Sequence, residues 1–443
     1  MVKINVIGGG FAGVEAAWQI AKRGLEVNLY EMRPIKMTPA HHTDKLAELV
    51  CSNSLGSKFE GNASSLLKEE LKLLDSIILR VAEKNSIPAG LSLSVDREKF
   101  SEDITKEICS NPLINVVREE IKEIDFEAIN IIATGPLTSD SLAKKISELT
   151  GSQYLYFFDA AAPIVEYDSL NLNIIFEQSR YDKGEGFYLN CPFNKEQYDL
   201  FINELLNAEL AEVKDFDIYS KNKPFFEGCM PIEELARRGH DTPRYGPMRP
   251  VGLINPKDNK RPYAVVQLRQ DNAIATLYNI VGFQTQLKWN EQKRVFRLIP
   301  GLENAEFVRF GVMHRNTFIN SPKLLNKYLQ LKCNNKIFFA GLLTGVEGYV
   351  ESCAMGTIAG INVYNLIKSK EMLELPNTTM IGALINYIIN ADSKNFQPIN
   401  SNWGILKQLD ENIKDKKLRN IKYRERALRD LKFFLKSKEF LLK

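Results

Sequence analysis

Two cysteines stand in segments suited to exposure rather than to packing. Cys51 lies in Leu49-Val50-Cys51-Ser52-Asn53-Ser54-Leu55, an apolar entry followed by small polar residues. Cys229 lies in Phe226-Glu227-Gly228-Cys229-Met230-Pro231, where glycine and proline bracket the thiol in a loop. A thiol acts as a nucleophile when it is accessible and close to positive or basic groups, and Arg237, Arg238, His240, Arg244 and Arg249 follow Cys229 closely. The ordinary alternative for a free cysteine is an inert buried side chain. That role is assigned to Cys109, Cys191, Cys333 and Cys353. Cys51 and Cys229 are too far apart in sequence for the close-set pair of a disulfide reductase.

A second constellation is Gly8-x-Gly10-x-x-Gly13, preceded by the apolar run Val2–Ile7 and followed by Ala12, Val14, Ala16, Ala17 and Ile20 at helical spacing. Glu31 ends the next apolar segment, 18 residues after Gly13. Strand, glycine turn, helix and a distal acid form the arrangement that binds a dinucleotide. The backbone approaches the pyrophosphate, the helix N-terminus faces its charge, and the acid takes the ribose hydroxyls. An acid at that position selects FAD or NAD over NADP. A late glycine-rich stretch, Gly341-Leu342-Leu343-Thr344-Gly345-Val346-Glu347-Gly348, favours FAD, because such an element can close over a flavin.

His314 stands in the polar cluster His314-Arg315-Asn316-Thr317 between apolar flanks. The scattered cysteines and the absence of His at finger or H-E-x-x-H spacing predict no metal site, and no G-x-S-x-G or Walker A sequence appears. Without a disulfide framework or a secretory leader, the chain reads as cytoplasmic. No apolar run approaches the roughly 18 residues of a membrane span, and mean hydropathy is −0.23.

These residues must be positioned by a chain of 443 residues, 44% hydrophobic and 26% charged, long enough for two or three domains. Alternating strand and helix signals predict an α/β fold. It has a discontinuous Rossmann-like FAD-binding domain over 1–185 and 300–443, with an inserted smaller α+β domain over 186–299, where prolines punctuate short segments. Residues 63–84 have helical spacing, Ile129–Gly135 and Lys336–Gly341 read as buried strands, and Glu351–Lys368 reads as a helix. The formal net charge is only +3, but residues 405–443 hold 13 basic and 6 acidic residues. This tail reads as an amphipathic helix packed through Leu428, Leu431, Phe434 and Leu435, with Lys416, Lys417, Arg419, Lys422 and Arg424 available for phosphates.

Taken together, these segments closely resemble the folate- and FAD-dependent RNA uracil-C5 methyltransferases. The matching stretches are Gly8–Gly13, Tyr30-Glu31-Met32-Arg33-Pro34, Ala47–Leu55, Glu227–Glu233, Val266-Gln267-Leu268-Arg269, Val281–Thr285, Met313–Phe318, Gly345–Tyr349 and Phe396-Gln397-Pro398. Gly56, Phe187 and Leu342 depart from the usual pattern.

The resemblance implies Cys229 as the nucleophile at uracil C6. It implies Cys51 as a second thiol that either removes the C5 proton or shields the reactive flavin. It adds Arg33, Glu347 and His314 to the cofactor-binding residues, His314 stacking on the folate. The one-carbon unit comes from methylenetetrahydrofolate through reduced flavin, with NAD(P)H as reductant. The RNA is the T-loop uridine of tRNA or, in a paralogous branch, a uridine of large-subunit (23S) ribosomal RNA. A small-molecule flavin oxidoreductase is the rival from another class. The sequence sets no oligomeric state.

Overall fold

A computed structural model describes residues 2–151, 155–160, 162–182, 187–211, 230–311 and 313–438, with the backbone course alone for 155–160, 182 and 313–316. Its first sheet has six strands in the order Gln330–Leu331, Asn334–Phe339, Ile129–Ile132, Ile4–Ile7, Val27–Glu31 and Ile114–Arg118. All neighbours are parallel except the Gln330–Leu331 edge. The central strands Ile4–Ile7 and Ile129–Ile132 are buried along their whole length, which explains their unbroken apolar sequence. Ile4–Ile7 pairs with Val27–Glu31 on one side and Ile129–Ile132 on the other, so the chain order reverses beside it and opens a crevice at its C-terminal end.

Over that end lies the helix Phe11–Ala21, with ten of its eleven residues buried. Small residues allow it to approach the helix Tyr349–Ile367. A Cβ on Gly356 would stand 2.2 Å from the Ala12 carbonyl oxygen, and one on Gly360 would stand 2.6 Å from that of Ala16. The helical stretch at 63–84 is two helices, Ala63–Leu73 and Ile77–Lys84. Asp75 at φ +58° turns the chain between them, and the Ser76 hydroxyl caps the second by accepting from the Leu79 N–H.

The second sheet is antiparallel, in the order Phe176–Gln178, Tyr188–Phe193, Ala264–Gln270, Leu277–Ile280, Ile164–Glu166 and Phe307–Arg309, with a register shift between Phe307 and Arg309 at its last pairing. It draws strands from before residue 186 and after residue 299, so the 186–299 boundaries are too narrow. The sheet needs those short strands to complete its edge, and they enclose a core with Tyr198, Phe201, Ile202 and Leu205 from the helix Lys195–Asn207.

The C-terminal helix Lys416–Ser437 buries Leu431 and packs Leu428, Phe434 and Leu435 against the core of the first sheet, as its spacing predicts. Among the described residues, no helix is long and apolar enough to cross a membrane.

Candidate functional site

Gly8 has φ +108°, and its N–H donates to the Tyr30 carbonyl at 2.8 Å. A Cβ on Gly13 would fall 1.8 Å from the Gly8 carbonyl oxygen, so only glycine lets the helix start this close to the strand. A Cβ on Gly10, by contrast, would meet nothing within 4 Å. Gly10 caps the helix Phe11–Ala21 with no side chain, leaving that end open toward a cleft lined also by Glu31, Thr134–Ser139 and Gly341. The open glycine cradle at a helix N-terminus fits the pyrophosphate of a dinucleotide.

Glu31 lies at the cleft wall with its carboxylate occupied on several sides. Oε2 accepts from the Gly9 N–H at 3.0 Å, and Oε1 accepts from the Arg33 backbone N–H at 3.0 Å and from Arg33 Nε at 2.9 Å. Burial favours the neutral acid, but the Arg33 bonds and charge outweigh it and hold the carboxyl below its usual range. Arg33 is only 1% exposed and also donates to Glu48 Oε2 at 2.9 Å and to the Thr43 carbonyl. Glu48 in turn accepts from the His42 and Thr43 N–H groups. Arg33 thus ties Glu31 to the loop that leads into Cys51.

Gly341 and Leu342 also line the cleft, Gly341 against Ala12. The departure at Leu342 therefore places an apolar side chain at the cleft. Gly345 is turned elsewhere. Its φ is +89°, and a Cβ there would strike the Phe396 ring at 2.4 Å. The Gly345 carbonyl accepts from the Ile399 N–H, and the Glu347 N–H donates to the Ile399 carbonyl. Phe396-Gln397-Pro398 thus braces the glycine-rich turn from behind. Gly348 precedes the helix whose first residue, Tyr349, lines the cleft. Of the other departures, Gly56 has φ +82° and Phe187 is 62% exposed.

Cys51 is half-buried at the seam between the two sheets. Its N–H donates to the Tyr349 hydroxyl at 3.0 Å, and its Sγ lies 3.2 Å from that hydroxyl. Burial, followed by the Cys51 charge, keeps the phenol neutral well past its ordinary range. Three arginines grip the loop. Arg97 donates to the Leu49 carbonyl and makes a two-point pair with Asp271 at 2.9 and 3.1 Å. Arg309 donates to the carbonyls of Val50 at 2.6 Å and Ala40 at 3.2 Å. Arg269 donates to Ser52 Oγ at 2.6 Å and Asn53 Oδ1 at 3.1 Å. Burial first, and then the charges of Arg309 and Arg97, lower the affinity of the His42 imidazole for its proton, against the opposing pull of Glu48.

The structure therefore brings together Gly8, Gly10, Glu31, Arg33 and Gly341 around one cleft, with Gly13 packed behind Gly8 and Cys51 in contact with the lining residue Tyr349. Cys229 lies outside the described residues. Of His314 only the backbone is described, in the strand Met313–Phe318 paired with Leu155–Ala160. The sequence reading assigned no role to Tyr349 or Arg269, although both fall inside quoted motifs, and it missed Arg97, Asp271 and Arg309.

A family model described as glucose inhibited division protein A matches residues 3–371. The chain is 57% identical to the methylenetetrahydrofolate–tRNA-(uracil-5-)-methyltransferase TrmFO of Halalkalibacterium halodurans, covering 98% of each chain. It is 56% identical to the protein of that name from Bacillus subtilis, covering 98% of this chain and 99% of the other. In fold it is similar to a crystal structure of Aquifex aeolicus GidA, with TM-score 0.69 at 14% identity, covering all of this chain and 74% of that one. With its glycine cradle, second glycine-rich turn and Cys51 loop inside the matched region, the chain belongs to the glucose inhibited division protein A family, among its TrmFO-like members.

Proposed function

We propose that this chain is a cytoplasmic methylenetetrahydrofolate- and FAD-dependent tRNA methyltransferase that forms 5-methyluridine. The observation that carries this reading is the contact of the Cys51 sulfur with the hydroxyl of Tyr349, a residue that lines a cleft headed by a dinucleotide cradle. The relatives named above are tRNA enzymes, and no observation favours the ribosomal RNA alternative.

FAD, when bound, supplies the two-electron chemistry that brings the folate methylene carbon to the methyl level, with NAD(P)H as the electron source. The backbone at Gly8–Gly10 and the open end of the helix Phe11–Ala21 would hold the pyrophosphate. Glu31 would meet the ribose. Gly341 and Leu342 line the cleft with Tyr349, which contacts Cys51. His314 is assigned to stack on the folate and Cys229 to add to uracil C6, which makes C5 nucleophilic. The target base must leave its stack to reach a thiol.

Methyl transfer by wild type and Cys229→Ala tests this reading. The wild type places label from methylenetetrahydrofolate in tRNA 5-methyluridine, whereas Cys229→Ala binds flavin without transferring it. Full turnover by Cys229→Ala would remove the assigned nucleophile.

A further inference from the structure

Arg269 is a buried guanidinium whose described hydrogen-bond partners are neutral oxygens, those of Ser52 and Asn53. A cation taken out of water is costly unless an anion accompanies it. The carboxylates around the seam are already engaged. Asp271 takes both bonds from Arg97, and Glu31 and Glu48 share Arg33. Arg309, on the far side of the loop, spends its described bonds on carbonyls. Among these groups, four guanidiniums, Arg33, Arg97, Arg269 and Arg309, face three carboxylates, Glu31, Glu48 and Asp271, while the buried Asp96 at the same seam spends its oxygens on the N–H groups of Glu98, Lys99 and Ala273. His42 adds little further positive charge, since burial and then Arg309 and Arg97 disfavour its proton.

The candidate for the missing negative charge is Cys51, next to the Arg269 anchor Ser52 and to Leu49-Val50, where Arg97 bonds the Leu49 carbonyl; both guanidiniums interact electrostatically with it, Arg97 after Asp271 and Tyr349, Arg269 after Tyr188 and Asp271. The phenol beside it fits the same assignment. The Tyr349 oxygen accepts the Cys51 N–H, and its hydroxyl lies 3.2 Å from the Cys51 sulfur, a contact in which the phenol donates once the thiol has lost its proton. A sulfur that receives a phenolic proton in a field of guanidiniums is stabilised as the thiolate.

We propose that Arg269 is a positioning residue that keeps Cys51 ionised, the thiolate serving as its counter-ion across the seam between the two sheets. Arg269 holds the Ser52–Asn53 side of the loop while Tyr349, which lines the cleft, holds the sulfur, so the anion is fixed in place beside Tyr349. An ionised sulfur can accept a proton, and a neutral thiol cannot. The assignment rests on the proposed function only for the use made of that thiolate.

The test is the ultraviolet absorbance of the thiolate in the holoenzyme, taken as wild type minus Cys51→Ser and titrated from about pH 5 to about pH 10. The wild-type midpoint falls below about 7.5, against roughly 8.5 for an ordinary thiol. In Arg269→Gln, compared with Arg269→Gln/Cys51→Ser, the midpoint rises by about one unit or more, leaving about tenfold less thiolate at a fixed pH below both midpoints. Arg269→Lys restores most of the shift, which a purely steric role would not require.

A wild-type midpoint at about 8.5 or above overturns the proposal, as does an unchanged midpoint in folded Arg269→Gln. If Arg269→Gln does not fold, the wild-type titration decides alone. No RNA or folate enters the titration, so its failure leaves the methyltransferase reading intact, and a failure of RNA methylation leaves the titration result intact.

Discussion

The Tyr349 hydroxyl sits 3.2 Å from the Cys51 sulfur and 3.0 Å from its backbone nitrogen, although the two residues are 298 positions apart. This contact joins the helix Tyr349–Ile367 of the nucleotide-binding sheet to the loop that also carries Ser52 and Asn53, the anchors of Arg269. Tyr349→Phe keeps the ring, which stacks on Phe11 at 4.5 Å, and removes only the hydroxyl. The variant should fold and bind flavin normally while methyl transfer falls about tenfold, the size expected for one hydrogen bond to a charged group. Undiminished transfer would show that the hydroxyl is dispensable.

The glycine cradle separates two kinds of damage. Gly13→Ala forces a Cβ into the Gly8 carbonyl, so both thermal stability and flavin content should drop. Gly10→Ala points a methyl into open space, so stability should hold while flavin affinity falls. Thermal melts of the two apoproteins, together with flavin titrations, check the contrast. Equal losses of stability would contradict it.

Buried carboxyl groups set a pH trend in stability. Burial lifts Glu70 to about 8 despite bonds from the Met380 and Ile381 N–H groups, and lifts Glu15 to about 7 despite bonds from Ser76 and Gln19. Both folded values lie above the ordinary carboxyl range, so the folded state holds these protons more tightly than the unfolded chain. Their contribution is fully present below about pH 4.5 and is lost as pH rises toward about 8. Glu70→Gln carries no titrating proton and should flatten the fall in melting temperature between those limits. An identical slope in wild type and variant would remove Glu70 as its source.

The C-terminal helix carries basic residues of two kinds. Arg424 pairs with Glu69 at 2.9 and 3.1 Å and holds the helix to the body, whereas Lys416, Lys417 and Arg419 make no ion pair among the described residues. Changing those three to Gln should leave the melting temperature within about 1 °C and reduce the salt dependence of tRNA binding by roughly two to three phosphate contacts. Arg424→Gln should lower the melting temperature instead. An unchanged salt slope in the triple variant would confine this face to a solvating role.

What was legible in the sequence was whatever the backbone demands locally. Gly8 and Gly13 announce themselves because no side chain fits there, and Glu31 because it ends a strand at fixed spacing. The second sheet was harder to delimit. Ile164–Glu166, Phe176–Gln178 and Phe307–Arg309 are three residues each, too short for a period to emerge, so proline density suggested narrower limits. The break at Asp75 was hidden by apolar spacing that continues across it.

The seam around Cys51 had no local signal at all. Arg97 meets Asp271 across 174 positions and Arg269 meets Ser52 across 217, contacts that only the juxtaposition of the two sheets creates. Arg269 stood in a quoted motif, but nothing near it in sequence named its partner.

The most direct test of the account is a single incubation of the protein with NADPH, methylenetetrahydrofolate labelled in its methylene carbon, and equal amounts of unmodified tRNA and ribosomal RNA transcripts. The RNAs are then separated and digested to nucleosides. The account predicts label in 5-methyluridine from tRNA and none above background from ribosomal RNA. Flavin reduction by NADPH with no label in tRNA, or label confined to ribosomal RNA, would contradict it.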